Sequence, residues 1–325
     1  MIAQRSLLVT MVLLMDRIPT PPPARRRGHP CVYPDRLFLK ALVIMILRHL
    51  HRVHELLAVL NEPTDEMVAL RALLVLDGRF PARRTWERRL RALPAQLPAQ
   101  IGCLGRYLVQ LLQPWAACGR AVAIDSTVLG ARGGVWHKQD RDAGLVPHTS
   151  IDTEAAWTKS GWHGWVYGWK LHVVAVVASV WLPLAADLTP ANVADSEQAL
   201  TLLPELPAEV RFVLGDRHYN APKVRQACEQ AGPLLVATRY GAYPHTDAGV
   251  EVRRVFHKLR SVAIENFNEH FKGIFGAHGQ VPTRGLVNTR RFALGALFVY
   301  QLALLYRFEH SLSLNVGLKA FMQAV

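Results

Sequence analysis

The sequence predicts an α/β fold preceded by an all-helical region. Three observations carry this. Apolar residues recur at helical spacing in four runs between residues 37 and 112. At Gly119 the pattern changes to short strand-like runs that alternate with helical ones, the order of an α/β domain. Half of the 325 residues are apolar and 19% are charged. That composition has ample material for a core, which excludes a mainly disordered chain and a small disulfide-stapled scaffold.

The elements follow in order. Residues 7–15 are apolar and read as a helix or strand. The charged and proline-rich stretch that follows holds no small-residue cleavage site, so this is not a secretory leader. Pro19 to Pro23 and Arg25, Arg26 and Arg27 form an extended basic arm. Pro34 and Asp35 open a helix or helix pair over 37–60. A second helix covers 67–76 and stops at Asp77-Gly78. A third runs from Pro81 to about Leu93, and a fourth covers 101–112. Beyond Gly119, residues 121–129 read as a strand interrupted by one aspartate. Two further strands, 165–179 and 181–188, make a hairpin. A helix at 192–203, a strand at 210–214, a helix at 221–231 and a strand at 234–238 come next. Residues 259–275 and 290–308 read as helices. The apolar stretch 292–306 is 15 residues long, short of the roughly 20 that span a bilayer, and reads as a buried core helix.

Charge points to a partner. There are 38 Lys and Arg against 25 Asp and Glu, a net +13. The excess is +10 over residues 1–120, −5 over 121–209 and +8 over 210–325. Two basic surfaces around an acidic centre suit a polyanion, of which nucleic acid is the commonest. Arg84, Arg88 and Arg91 fall on one face of the third helix, with Trp86 and Leu90 on another. That is the pattern of a helix-turn-helix recognition helix, or of a basic helix gripping any polyanion. Aromatic residues cluster at Trp157, Trp162, Trp165, Tyr167 and Trp169 beside His163 and His172, as a sheet edge or as a base-stacking loop. Cys31, Cys103, Cys118 and Cys228 have no C-x-x-C spacing, so neither a zinc knuckle nor a secreted framework is indicated, and a reducing cytoplasm is expected.

The chemistry sits in three acidic residues. Asp125 lies inside an apolar strand, Ala121-Val-Ala-Ile-Asp125-Ser-Thr-Val128. An ionised carboxylate there is costly unless paired or ligating a metal. Asp216 closes a second strand, and strand ends in open α/β sheets face the ligand crevice. Glu265 follows on a helix. Taken singly, these residues read as a strand end, a turn cap and a solvated side chain. Together, three hard oxygen ligands suit Mg²⁺ or Mn²⁺, and two such ions would serve phosphodiester displacement. Lys272 lies seven residues beyond Glu265, on the same helix face. Arg253, Arg254, Lys258 and Arg260 crowd just upstream. His218 beside Asp216 reads equally as a ligand-orienting group and as a turn residue.

Four stretches in this order resemble the DDE transposases of bacterial insertion sequences: Ala123-Ile-Asp125-Ser-Thr, Gly168-Trp-Lys170-Leu-His172, Leu214-Gly-Asp216-Arg-His-Tyr219-Asn220 and Ile264-Glu265-Asn-Phe-Asn-Glu-His-Phe-Lys272. The passage 184–199 is similar as well, and the likeness covers roughly residues 30–310. The resemblance implies an RNase H-like mixed sheet flanked by helices, with Asp125, Asp216 and Glu265 as the catalytic, metal-holding triad. It implies Mg²⁺- or Mn²⁺-dependent cleavage of transposon ends followed by strand transfer, and DNA (terminal inverted repeats and target) as partner. Lys272, Arg260, Lys258, Arg84, Arg88 and Arg91 would contact DNA. A homodimer on paired ends comes from the family alone, as does a bacterial, nucleoid-associated location. The expected division is a segment and arm at 1–34, a helical DNA-binding domain at 35–118, a catalytic domain at 119–310 with a small insertion of strands near 239–257, and a tail at 311–325. One departure stands out. Relatives often carry a tyrosine and an arginine at three- and four-residue steps before the glutamate and a lysine seven after it; Lys272 fits, whereas Arg260 lies five before Glu265 and position 258 is a lysine. Two other readings remain: a nuclease of the same fold that does not join strands, and an inactive DNA-binding regulator.

Overall fold

The computed structural model describes residues 6–22, 32–116, 118–161, 164–237 and 247–324. The Arg25-Arg26-Arg27 arm, Cys31, Trp162, His163 and the first part of the expected insertion lie outside them. The chain divides into two compact units, Met1–Leu104 with Arg290–Val325, and Gly105–Thr289. This departs from the expected division at 118/119 and 310/311. The reason is the last long helix, whose apolar side chains belong to the core of the helical unit.

In the helical unit, α1 (Leu7–Leu14) is capped by Ser6, whose hydroxyl accepts from the Val9 N–H. The apolar run 37–60 becomes two helices, α2 (Asp35–Leu47) and α3 (Val53–Val59). They are separated by His49, whose φ of 53° cannot continue a helix. α4 (Asp65–Ala72) starts under a Thr64 cap. In α5 (Arg83–Ala92), Trp86 and Leu90 are buried while Arg84, Arg88 and Arg91 are exposed. Trp86 meets the Phe38 ring edge-on at 5.0 Å, and Arg89 lies over Phe38 and pairs with Asp35. The link from α4 to α5 is residues 73–82, not the three- or four-residue turn of a helix-turn-helix. Asp77 and Gly78 both have positive φ there, and Leu76 and Arg79 exchange backbone hydrogen bonds across the tight turn. α6 (Leu97–Ala116) leads out of this unit.

The second unit is built on a mixed sheet. β1 (Ala121–Gly130) is followed by a short helix, α7 (Lys138–Asp142), and by β2 (Ala156–Ser160), β3 (Gly164–Val176) and β4 (Pro183–Pro190). β3 pairs antiparallel with β1 along one edge, and with β2 and then β4 along the other. After α8 (Asp195–Leu202), β5 (Phe212–Gly215) adds to β1 in parallel. After α9 (Pro222–Ala231), β6 (Leu234–Ala237) adds to β5 in parallel. The path β4-β3-β1-β5-β6, antiparallel on one side of β1 and parallel on the other, is the mixed sheet of the RNase H-like fold. Buried on both faces, β1 and β3 carry near-continuous apolar runs, Val122 to Ile124 and Val173 to Val176.

The expected strands near 239–257 are not present where the structure describes that stretch. Asp247–Arg260 is a helix, α10, with an exposed Glu251–Arg254 pair at i,i+3 and Phe256 buried. It continues through a π turn, Ser261–Glu265, into α11 (Asn266–Phe275), which Gly276 ends at φ 64°. α12 (Leu286–Glu309) starts under the Asp152 and Glu154 carboxylates, which accept from the Gly285 and Leu286 N–H groups. At 24 residues it is long and apolar enough to cross a membrane by composition, yet 83% of its apolar window is buried in the structure. The tail holds one more helix, α13 (Leu318–Gln323).

Candidate active site

Strand register brings the first two carboxylates together. β1 and β5 pair in parallel at Ala121–Phe212, Val122–Val213 and Ala123–Leu214. Two residues further along each strand stand Asp125 and Asp216. The pairing ends at Ala123–Leu214, and both acids line a cleft. Asp216 caps a single tight turn, Arg217–Tyr219, its carboxylate accepting from the His218 N–H at 2.8 Å. That turn tucks the Tyr219 ring beneath Gly215. A Cβ on Gly215 would lie 2.9 Å from the Tyr219 Cβ, so only glycine fits.

The third carboxylate arrives on the helix. Ala263 and Ile264 are buried, and the π turn carrying them packs on β1 and β3. This aims Glu265 into the cleft. The turn is defined by a backbone bond from the Asn266 N–H to the Ser261 carbonyl, one residue longer than an α-helical bond. Arg260, five residues before Glu265, comes back onto the same face, and its Nη2 donates to Glu265 Oε1. Its Nη1 reaches Asp125 Oδ2 at 3.4 Å. Ser261 Oγ donates to the other oxygen of Glu265 at 2.7 Å. One guanidinium therefore bridges two of the three acids.

Asp125, Asp216, Glu265, Arg260 and Lys272 all line one cleft of about 810 Å³. Burial pushes the Asp125 carboxyl up to about 7. Arg260 and the Ser126 N–H oppose the rise, and the charges of Asp216 and Asp195 add to it. The Asp125 side chain is 21% exposed and that of Glu265 48%. Burial also lowers the Lys272 ammonium. Tyr219 is 1% exposed. Burial raises its hydroxyl well above its usual value, and the charges of Asp125, Asp195 and Asp216 raise it further.

A second network abuts these residues. Asp195, at the start of α8, accepts from Ser126 Oγ at 2.8 Å and from Lys170 Nζ at 3.1 Å, with His172 Nδ1 at 3.6 Å. Burial drives His172 down to about 4, so the ring is neutral at pH 7. The Lys170–Asp195 pair and Ser261 line the cleft and were not singled out from sequence as site residues. Lys170 and His172 stand two apart on β3 with Asp195 opening a helix. That pattern signals a structural tie between strand and helix as readily as a site.

The other expectations divide. Lys258 is exposed on α10 and does not line the cleft. Arg84, Arg88 and Arg91 form an exposed stripe, but in the helical unit. Trp157 packs on Tyr167 at 5.4 Å and donates to the Trp136 carbonyl, and Trp169 is fully buried. These two are sheet-packing groups, whereas Trp165 is 68% exposed. Among the described residues, no three His, Cys, Asp or Glu side chains stand close enough to hold a metal ion. The acids share the cleft, with Arg260 between Asp125 and Glu265.

No curated protein matches the chain. Among solved structures it is similar to a Mos1 transposase paired-end complex with the left transposon end, at 14% identity and a TM-score of 0.23, over 86% of this chain and 81% of that one. It is also similar to a Mos1 mariner paired-end complex with Mn, at 12% identity and a TM-score of 0.22, over 93% and 82%. The model of the transposase DDE domain matches residues 116–302, a span that contains all three acids and the whole mixed sheet. The chain belongs to the DDE transposase family.

Proposed function

We propose that this protein is a DNA transposase. It would cleave the ends of an insertion sequence and join the freed 3′-hydroxyl to target DNA, with Asp125, Asp216 and Glu265 as the catalytic set. The observation that carries this reading is the convergence of those three acids, from β1, from the end of β5 and from the π turn, on one cleft.

The donor chemistry fits a hard divalent cation such as Mg²⁺ or Mn²⁺. Carboxylates line the cleft and no cysteine does among the described residues. Buried polar atoms beside them, Tyr219 Oη and Asn268 Oδ1, have no hydrogen-bond partner among the described residues. Asp125, Asp216 and Glu265 would hold the ion. When bound, it would stabilise the charge that develops as a phosphodiester oxygen is displaced. Lys272, on the cleft wall two turns beyond Glu265, would hold a non-bridging phosphate oxygen. The Lys170–Asp195–Ser126 network keeps β1, β3 and α8 in register and so positions Asp125. The stripe of Arg84, Arg88 and Arg91 would grip DNA phosphates, and a homodimer would pair the two ends.

The experiment uses duplex DNA carrying the inverted repeats that flank the coding region, with Mg²⁺. Nicking at the repeat boundary and joining of pre-cut ends to target DNA are expected. Cleavage without joining would leave a nuclease. Absence of both, with the protein folded and bound to the repeats, would overturn the assignment.

A further inference from the structure

Arg260 occupies an unusual place. Its side chain is 13% exposed and its guanidinium lies between the carboxylates of Asp125 and Glu265. The π turn puts it there. An α-helix advances 100° per residue, so five residues in a regular helix leave two side chains about 140° apart. One turn of π-helix returns them to one face. With Ser261 on the second oxygen of Glu265, both oxygens of that carboxylate are engaged by the chain itself.

We propose that Arg260 is a resident counter-cation that a divalent ion displaces: guanidinium and ion compete for Asp125 and Glu265. This rests on the reading that those carboxylates hold the ion. Asp125 and Glu265 line one cleft with Asp216, whose charge acts on Asp125, and the Arg260 guanidinium supplies one donor to an oxygen of each of the first two. The hold is incomplete. Arg260 Nε is buried without a partner among the described residues, and the contact to Asp125 is long at 3.4 Å. A group tied at only two of its donors leaves at lower cost than one bonded on every side. The competition also accounts for why the acids share a cleft and yet do not close into a metal-binding cluster.

The test is Mn²⁺ titration of the full chain without DNA, reading free Mn²⁺ by electron paramagnetic resonance. Wild type would be compared with Arg260→Gln, Arg260→Lys and Asp125→Asn. Removing the competing cation is expected to tighten Mn²⁺ binding about tenfold or more in Arg260→Gln. Arg260→Lys, a point charge without the fork, falls between the two. Without ions Arg260→Gln melts below wild type, and Mn²⁺ raises its melting temperature by more. Equal or weaker Mn²⁺ binding in Arg260→Gln would mean that Arg260 positions the acids and does not compete for them. If that variant fails to fold, the same outcome in Arg260→Lys decides. If wild type and Asp125→Asn bind Mn²⁺ alike, the ion-holding reading itself fails, and the competition with it.

Discussion

Substituting Gly215 by alanine probes how tightly the turn that carries Asp216 is built. The added Cβ would meet the Tyr219 Cβ at 2.9 Å, Cγ at 3.1 Å and Cδ2 at 3.2 Å. These atoms belong to the root of a ring that is 1% exposed, so Tyr219 cannot swing aside without emptying its pocket. Gly215 has no positive φ, so the cost is steric and not conformational. Overpacking of this kind costs about 1–3 kcal/mol. In a unit of this size each kcal/mol lowers the melting temperature by about 2–4 °C, so a loss of roughly 2–12 °C is expected. Because Asp216 is the next residue, cleavage at a temperature where the variant is folded falls as well. Gly279→Ala is the control, since nothing lies within 4 Å of the Cβ it would add. Differential scanning calorimetry of both variants reads the result. Identical melting of the two variants and wild type would refute the packing argument.

Three further outcomes follow from the same structure. In metal-free protein Asp125 contributes stability that is lost as pH rises from about 4 to about 7, while His172, held neutral by burial, contributes in the opposite sense over about 4 to 6.5. The Asp125 carboxyl is held above its ordinary value of 3.8, so folding favours its protonated form; the displacement to about 7 corresponds to as much as about 4 kcal/mol. Asp125→Asn should shift the pH slope of stability upward relative to wild type in urea melts taken across this range, and an unchanged slope would exclude an Asp125 contribution. Trp86→Ala should cost the helical unit about 3–5 kcal/mol, because the indole is fully buried against Phe38 and Phe80. A loss below 1 kcal/mol in chemical denaturation would contradict that packing. Replacing Arg84, Arg88 and Arg91 by alanine should weaken DNA binding and make its dependence on log salt shallower by about 2–3, since each phosphate contact contributes about 0.9 to the slope. An unchanged slope would remove that stripe from the DNA surface.

Much of this was legible in the residues. The Ala121-Val-Ala-Ile-Asp125 run and the Phe212-Val-Leu-Gly-Asp216 run announce two strands ending in acids, because buried strands tolerate a carboxylate only where they meet a cleft. Their parallel pairing is seen only in the structure. The arginine stripe and its Trp86–Leu90 core face follow from 3.6-residue periodicity alone. What stayed hidden depended on tertiary context. The π turn, which puts Arg260 on the face of Glu265, has no local sequence signature. The stretch expected to hold inserted strands folds, from Asp247 onward, as helix. The assignment of α12 to the helical core depends on burial partners far away in sequence.

The account stands on three acids working as one set. Asp125→Asn, Asp216→Asn and Glu265→Gln, assayed one at a time for Mg²⁺-dependent nicking of repeat-bearing DNA, should each cut the rate at least about a hundredfold while DNA binding and melting temperature stay near wild type. A folded, DNA-bound variant of any of the three that nicks at the wild-type rate would contradict it.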